Sequence, residues 1–180
     1  MAQFDIRVRS GKHEIREYPL ETGMTFEEGE PLVVVLASGE IAECASDPIT
    51  VTGISATSSR ARYPNPGGGT ALPNNTLIGV YLPIDECLFV SNVGGTLATG
   101  NRFATDGAGT AATPTAATAV GRTAGFIHIT DGTENVWVVD TGAVNAHVTI
   151  EALYNSVGEN IKDPNARSTV AATMTYSFGV

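Results

Sequence analysis

Apolar and polar residues alternate at every second position over much of this chain, and elsewhere the apolar runs are short and rich in β-branched residues. Phe4, Ile6 and Val8 alternate with Asp5, Arg7 and Arg9, the period of a half-buried strand. Ser10-Gly11-Lys12 interrupts it, and His13 to Tyr18 reads as a second extended, charged piece ending at Pro19. Pro31 to Ala37 is a continuous apolar run, too short and too Val-rich for a helix. Ser38-Gly39 then turns the chain toward Ile41-Ala42, the run Ile49–Thr52 and the closing Gly53-Ile54-Ser55-Ala56. Thr76–Leu82 and Cys87–Val90 read as two further strands. Phe126–Thr130 and Asn135–Asp140 flank Asp131-Gly132-Thr133, a hairpin signal whose Thr-Glu continuation predicts a loop longer than two residues. Ala146–Leu153 carries Val148 and Ile150 on one side. At the terminus Val170, Ala172, Met174, Tyr176, Phe178 and Val180 share one face, opposite Thr169, Ala171, Thr173, Thr175 and Ser177.

No window sustains the i, i+3, i+4, i+7 stripe of an amphipathic helix, and only short pieces near Ala152–Val157 have helical character. The pattern predicts an all-β, antiparallel fold, built as a β-barrel-like domain with extended arms at both ends. A chain of 180 residues is most simply one domain. Residues 1–18 form an N-terminal arm or strand, 19–155 the body, and 156–180 a C-terminal arm and strand. The terminal strand either closes the domain's own barrel or reaches a neighbouring chain, because an unpaired end would fray. Tyr63–Gly69 reads as an exposed loop. Ala104–Gly125 is nearly all Ala, Thr and Gly, so it buries little apolar area, and is either mobile or packed tightly against a partner. A segment so composed also favours a homo-oligomer, because small residues allow close approach around a symmetry axis.

Charge sharpens the picture. Glu17, Glu21, Glu27, Glu28, Glu30, Glu40, Glu43 and Asp47 fall between positions 17 and 59, with no Lys or Arg among them. Arg7, Arg9, Lys12 and Arg16 crowd the first sixteen positions. The acidic block, within a net charge of −9, argues against a nucleic-acid partner, since phosphate binding needs clustered cations. Cys44 and Cys87 lie in strand-like segments. Met-Ala-Gln-Phe-Asp-Ile-Arg has no apolar h-region, so no signal peptide is expected and the thiols are expected to stay reduced and buried. No apolar run is long enough to cross a membrane as a helix, so no membrane partner is expected.

Candidate chemistry is sparse. The chain has no G-x-S-x-G elbow, no phosphate-binding G-x-x-x-x-G-K-[ST] loop and no three-glycine dinucleotide fingerprint. His13-Glu14 begins like a zincin helix but lacks the second His. His128 and His147 lie on separate predicted strands that could meet in space as metal ligands; as lone histidines they read as structural. Asp131 and Asp140 flank Trp137 as a glycosidase pair would, yet Asp beside Gly is ordinarily a turn former. Catalytic, cofactor and metal residues are therefore expected to be absent. The expectation is a binding surface rather than an enzyme.

The hairpin region carries a resemblance. Gly29, Leu32, Val33 and Val34, then Gly39 and Glu40, then Gly53 and Ile54 resemble the G-x-x-L-V-V hairpin and following Gly-Ile pair of phage head decoration, or capsid cement, proteins of the β-tulip type. The resemblance covers about a sixth of the chain. It implies a structural virion protein on the outer surface of a phage capsid, made in the host cytoplasm, commonly trimeric, with the major capsid protein as partner. It also implies an N-terminal arm that adds a strand to the capsid protein, which makes Phe4, Ile6, Arg7, Val8, Arg9, Lys12 and Arg16 the candidate partner-binding residues. The competing reading of that segment is an edge strand guarded by charge. A phage fibre or carbohydrate-binding β-domain, with Trp137, Tyr154 and Tyr176 as stacking platforms, is the alternative function. A small β-barrel hydrolase is the third.

Overall fold

A computed structural model describes residues 6–59, 72–84, 87–93, 102–131, 134–162, 171 and 173–179. The described chain is all-β, in two sheets. The larger has the order β1 (Arg7–Ser10), β7 (Leu88–Asn92), β12 (Thr173–Phe178), β11 (Val148–Tyr154), β9 (Thr123–Asp131), β10 (Glu134–Asp140) and β8 (Phe103–Ala104). Its pairs are antiparallel except β10 with β8. The smaller is antiparallel throughout, in the order β2 (Ile15–Pro19), β6 (Leu77–Tyr81), β5 (Gly53–Ser55), β3 (Pro31–Val35) and β4 (Glu40–Glu43).

In the smaller sheet, strand β3 meets a core on each face, which explains why it reads as a continuous apolar run. Leu32 and Val34 point one way, into a small core with Leu20, Phe26, Ile41, Ile78 and Val80. Val33, Ile54 and Tyr81 point the other way, into the main core shared with Phe89, Phe126, Met174 and Tyr176 of the larger sheet. Its outer strands curl until they touch at one place, where Leu20 bridges Ile41 and Glu21 N–H donates to the Ile41 carbonyl at 3.1 Å. Among the described residues that contact does not extend into a closed barrel.

Phe26 fills the small core from a loop that the Ser-rich stretch after β5 holds in place. Phe26 N–H donates to Ser59 Oγ at 2.7 Å, Gly29 N–H to the Ser55 carbonyl at 2.9 Å, and Ser55 Oγ to the Glu27 carbonyl at 2.5 Å. Gly53, from the hairpin motif, is where β5 crosses β6: a Cβ there would fall on the Tyr81 carbonyl oxygen. The hairpin between β3 and β4 forms as the sequence predicts. Val35 pairs with Glu40, Gly39 takes φ 74°, and the Ser38 and Gly39 amides both donate to the Val35 carbonyl.

Several expectations are revised. Ile49–Thr52 is not a strand; Ile49 is 85% exposed, while Thr52 takes over two ladder positions, its amide donating to the Leu32 carbonyl and its Oγ1 accepting from Val34 N–H. Ala152–Val157 holds no helix. β11 runs to Tyr154, and Asn155 Oδ1 then accepts from the Val157 and Glu159 amides to close a turn. Asp131 pairs with Glu134, so only residues 132 and 133 separate β9 from β10, fewer than expected.

The Ala/Thr/Gly segment, expected to be mobile or bound to a partner, folds within its own chain. It holds a single-turn helix, α1 (Ala116–Ala119), capped by Thr115 and Thr118, with Ala119 and Ala124 buried in the main core. Gly125 lies where a Cβ would strike the Asn145 carbonyl, so the small residues serve close approach inside the molecule. The terminal strand β12 also stays at home, between β7 and β11. Tyr63–Gly69, and with it that predicted loop, lies outside the described residues.

Candidate partner-binding surface

The N-terminal segment contributes an edge to each sheet rather than standing apart as an arm. β1 lies at one end of the larger sheet and, among the described residues, pairs only with β7, Arg7 opposite Val90 and Val8 opposite Phe89. β2 lies at one end of the smaller sheet, Arg16 opposite Val80. Alternation is what divides β1. Ile6 is 5% exposed within the main core and Val8 packs against it, while Arg7 and Arg9 are exposed.

The described candidate residues thus fall into three groups. Ile6 and Val8 are occupied by the fold and cannot leave it to grip a partner. Arg7 and Arg16 are exposed cations on the two edge strands, and Lys12 is an exposed cation in the link between them. Arg16 bonds Glu14 at 3.0 Å, and its guanidinium is held above its ordinary value first by that bond and then by Tyr18. Arg9 lies with its guanidinium carbon 3.8 Å from the centre of the Tyr154 ring, a cation–π contact. Phe4 lies outside the described residues.

The residues weighed for catalysis, metal or sugar binding have structural partners. Asp140 is fully buried and accepts from the Gly142 amide at 2.7 Å and the Gly109 amide at 3.1 Å, the work of a turn former. The Asp131 side chain lies outside the described portion. His128 and His147 do approach a common element, the strap Cys44–Pro48 that leaves β4. His128 N–H donates to Ser46 Oγ at 2.9 Å, and His147 Nε2 meets the Pro48 carbonyl at 2.6 Å. Among the described residues no set of three His, Cys, Asp or Glu side chains is arranged to hold a metal ion. Trp137 is 5% exposed and Tyr176 fully buried, so neither offers an open face to a sugar, and Tyr154 is covered by Arg9.

Sequence reasoning missed this strap. Glu43 and Asp47 belong to the acidic block, yet Glu43 accepts from Trp137 Nε1–H at 3.0 Å, and Asp47 accepts from Asn145 N–H at 3.0 Å through Oδ1. The signal was Asp47-Pro48, a turn-forming pair between apolar runs. Cys44, beside them, is a free buried thiol pushed up to about 12, first by burial and then by Glu43. Cys87 is likewise free, buried and pushed up by desolvation.

Comparisons with protein-family models, with curated proteins and with solved structures returned no match.

Proposed function

We propose that this is a structural virion protein of the capsid-cement kind, which binds the outer surface of a phage capsid and stabilises the shell. The observation that supports this best is β1: an edge strand anchored on one side by Ile6 and Val8, with a cation at each alternate position and, among the described residues, no strand paired to its outer edge. The fold alters the mode the resemblance implies. A partner strand joins an edge that is already part of the sheet. Main-chain bonds supply affinity, and Arg7 and Lys12 meet acidic groups on the major capsid protein. Many weak contacts repeated over a shell add up, which suits a small binding edge. Trimerisation belongs to the same proposal through the resemblance; the Ala/Thr/Gly segment, satisfied within its own chain, no longer argues for it.

Deleting residues 1–16 would test folding rather than binding, because Ile6 sits in the main core. The double variant Arg7→Glu/Lys12→Glu changes only exposed side chains. Co-sedimentation with purified expanded capsids is expected to weaken at least about tenfold, a loss of about 1.4 kcal/mol, with the circular dichroism of the variant unchanged. Undiminished decoration by the folded variant would remove β1 as the grip.

A further inference from the structure

The strap Cys44–Pro48 belongs to the smaller sheet through β4, and every polar contact described for it above lands on the larger sheet or the loop beside it. Asp47 N–H also donates to the Phe126 carbonyl at 3.0 Å, so Ser46 and Asp47 occupy a stretch of β9 edge beyond its pairing with β11. The strap is the hydrogen-bonded seam between the sheets. One contact along it is incomplete. His128 Nε2 is buried, has no hydrogen-bond partner among the described residues, and lies 3.5 Å from Glu43 Oε1, the oxygen already engaged by Trp137 Nε1–H. The imidazole stacks on the Trp137 indole with ring centres 4.7 Å apart, so it is held facing the carboxylate. The His128 and Glu43 side chains are 22% and 21% exposed, shielded enough for a charge pair to matter without a full desolvation cost.

We propose that His128 and Glu43 form an acid-tightened latch between the two sheets, closed when His128 carries two protons and slack when it is neutral. A neutral imidazole offers this oxygen either a lone pair, which repels it, or a single N–H too far away for a good bond. The imidazolium offers a charge-assisted donor, for which a small movement closes the gap. Among the described residues, the titratable groups next to the pair along the strap are Cys44, a neutral thiol, and Asp47, whose carboxylate accepts from the Asn145 amide; Trp137, from β10, is uncharged. His147, at the far end of the strap, does not share the switch. Its Nε2 faces the Pro48 carbonyl at 2.6 Å rather than a carboxylate.

The sign follows from where the pairing exists. The imidazolium–carboxylate contact is present only in the folded state, so its stabilisation holds in mild acid and disappears as pH rises and the ring loses its proton. Trp137 is the chain's single tryptophan, so its fluorescence reports on the stacked ring directly. The test is a double-mutant cycle on the full chain, using Glu43→Gln, His128→Gln and both together, by denaturant unfolding at about pH 5.5 and pH 8, which bracket the histidine range. The expected coupling is about three- to tenfold in the unfolding equilibrium at pH 5.5, falling to near unity at pH 8. Indole emission of the wild type should fall on acidification and stay level in His128→Gln. Equal coupling at the two pH values overturns the latch, as does a fluorescence transition that survives in His128→Gln. If the variants do not fold, the wild-type emission alone decides: a level trace across this range overturns the latch.

Discussion

At the residue scale, side chains that looked chemical are held by the packing they serve. Cys44 and Cys87 are both buried, and burial leads the causes that keep their thiols protonated. Neither is expected to react with a thiol reagent in the native state at pH 8, and both are expected to react once the chain is unfolded; rapid native labelling of Cys44 would contradict its place in the core. The pH sign is fixed by the raised value. The unfolded chain releases the Cys44 proton near its ordinary value of 9, whereas the folded chain holds it to about 12, so stability present below pH 9 is lost as pH rises toward 12. Asp106 is the opposite case. Its carboxylate is held down to about 2, first by the Thr110 side chain and then by the Ala108 amide, so its contribution is present above its ordinary value of 3.8 and fades as pH falls toward 2.

At the element scale, the readable parts were those fixed by neighbours in sequence. Alternation located β1 and β12, and short apolar or extended runs located β2, β6, β7, β9 and β10, to within a few residues, while Ser38-Gly39 marked the β3–β4 hairpin. What stayed hidden depended on distant neighbours. Ile49–Thr52 has a strand's composition, but the ladder position beside β3 needs only Thr52, so the run stays outside the sheet. The buried Ala and Gly positions of the segment after β8 are small because other backbones pass close by, which its own sequence cannot announce. The candidate site was half legible: the basic edge could be read, but the anchoring of Ile6 and Val8 and the strap that leaves β4 after Glu43 could not. Within that segment, α1 is too short to persist by propensity and relies on its cap. Thr115 Oγ1 accepts from Thr118 N–H at 3.2 Å, and Thr118 Oγ1 accepts from Thr115 N–H at 2.9 Å. Thr115→Ala is expected to cost about 1 kcal/mol, lowering Tm by about 2–4 °C in thermal unfolding. No change would mean that Ala119 alone anchors the turn.

At the scale of the whole molecule, the design is a small curled sheet laid against a larger open one. The main core runs between them, a second core lies inside the curl, and the strap forms the hydrogen-bonded seam. Among the described residues such a body has unpaired sheet edges, and its N-terminal segment supplies one edge of each sheet. Those edges are what a shell-binding protein requires and what a free soluble domain must guard with charge. Arg7, Lys12 and Arg16 fit both demands, so their presence alone does not choose between them. Binding itself does. The most direct measurement is titration of the purified protein onto expanded phage capsids, followed by sedimentation and by the melting temperature of the shell. The cement reading predicts saturable binding at a fixed number of copies per shell and a shell that melts at higher temperature when decorated. A folded protein that stays in the supernatant at every concentration, leaving shell melting unchanged, would contradict it.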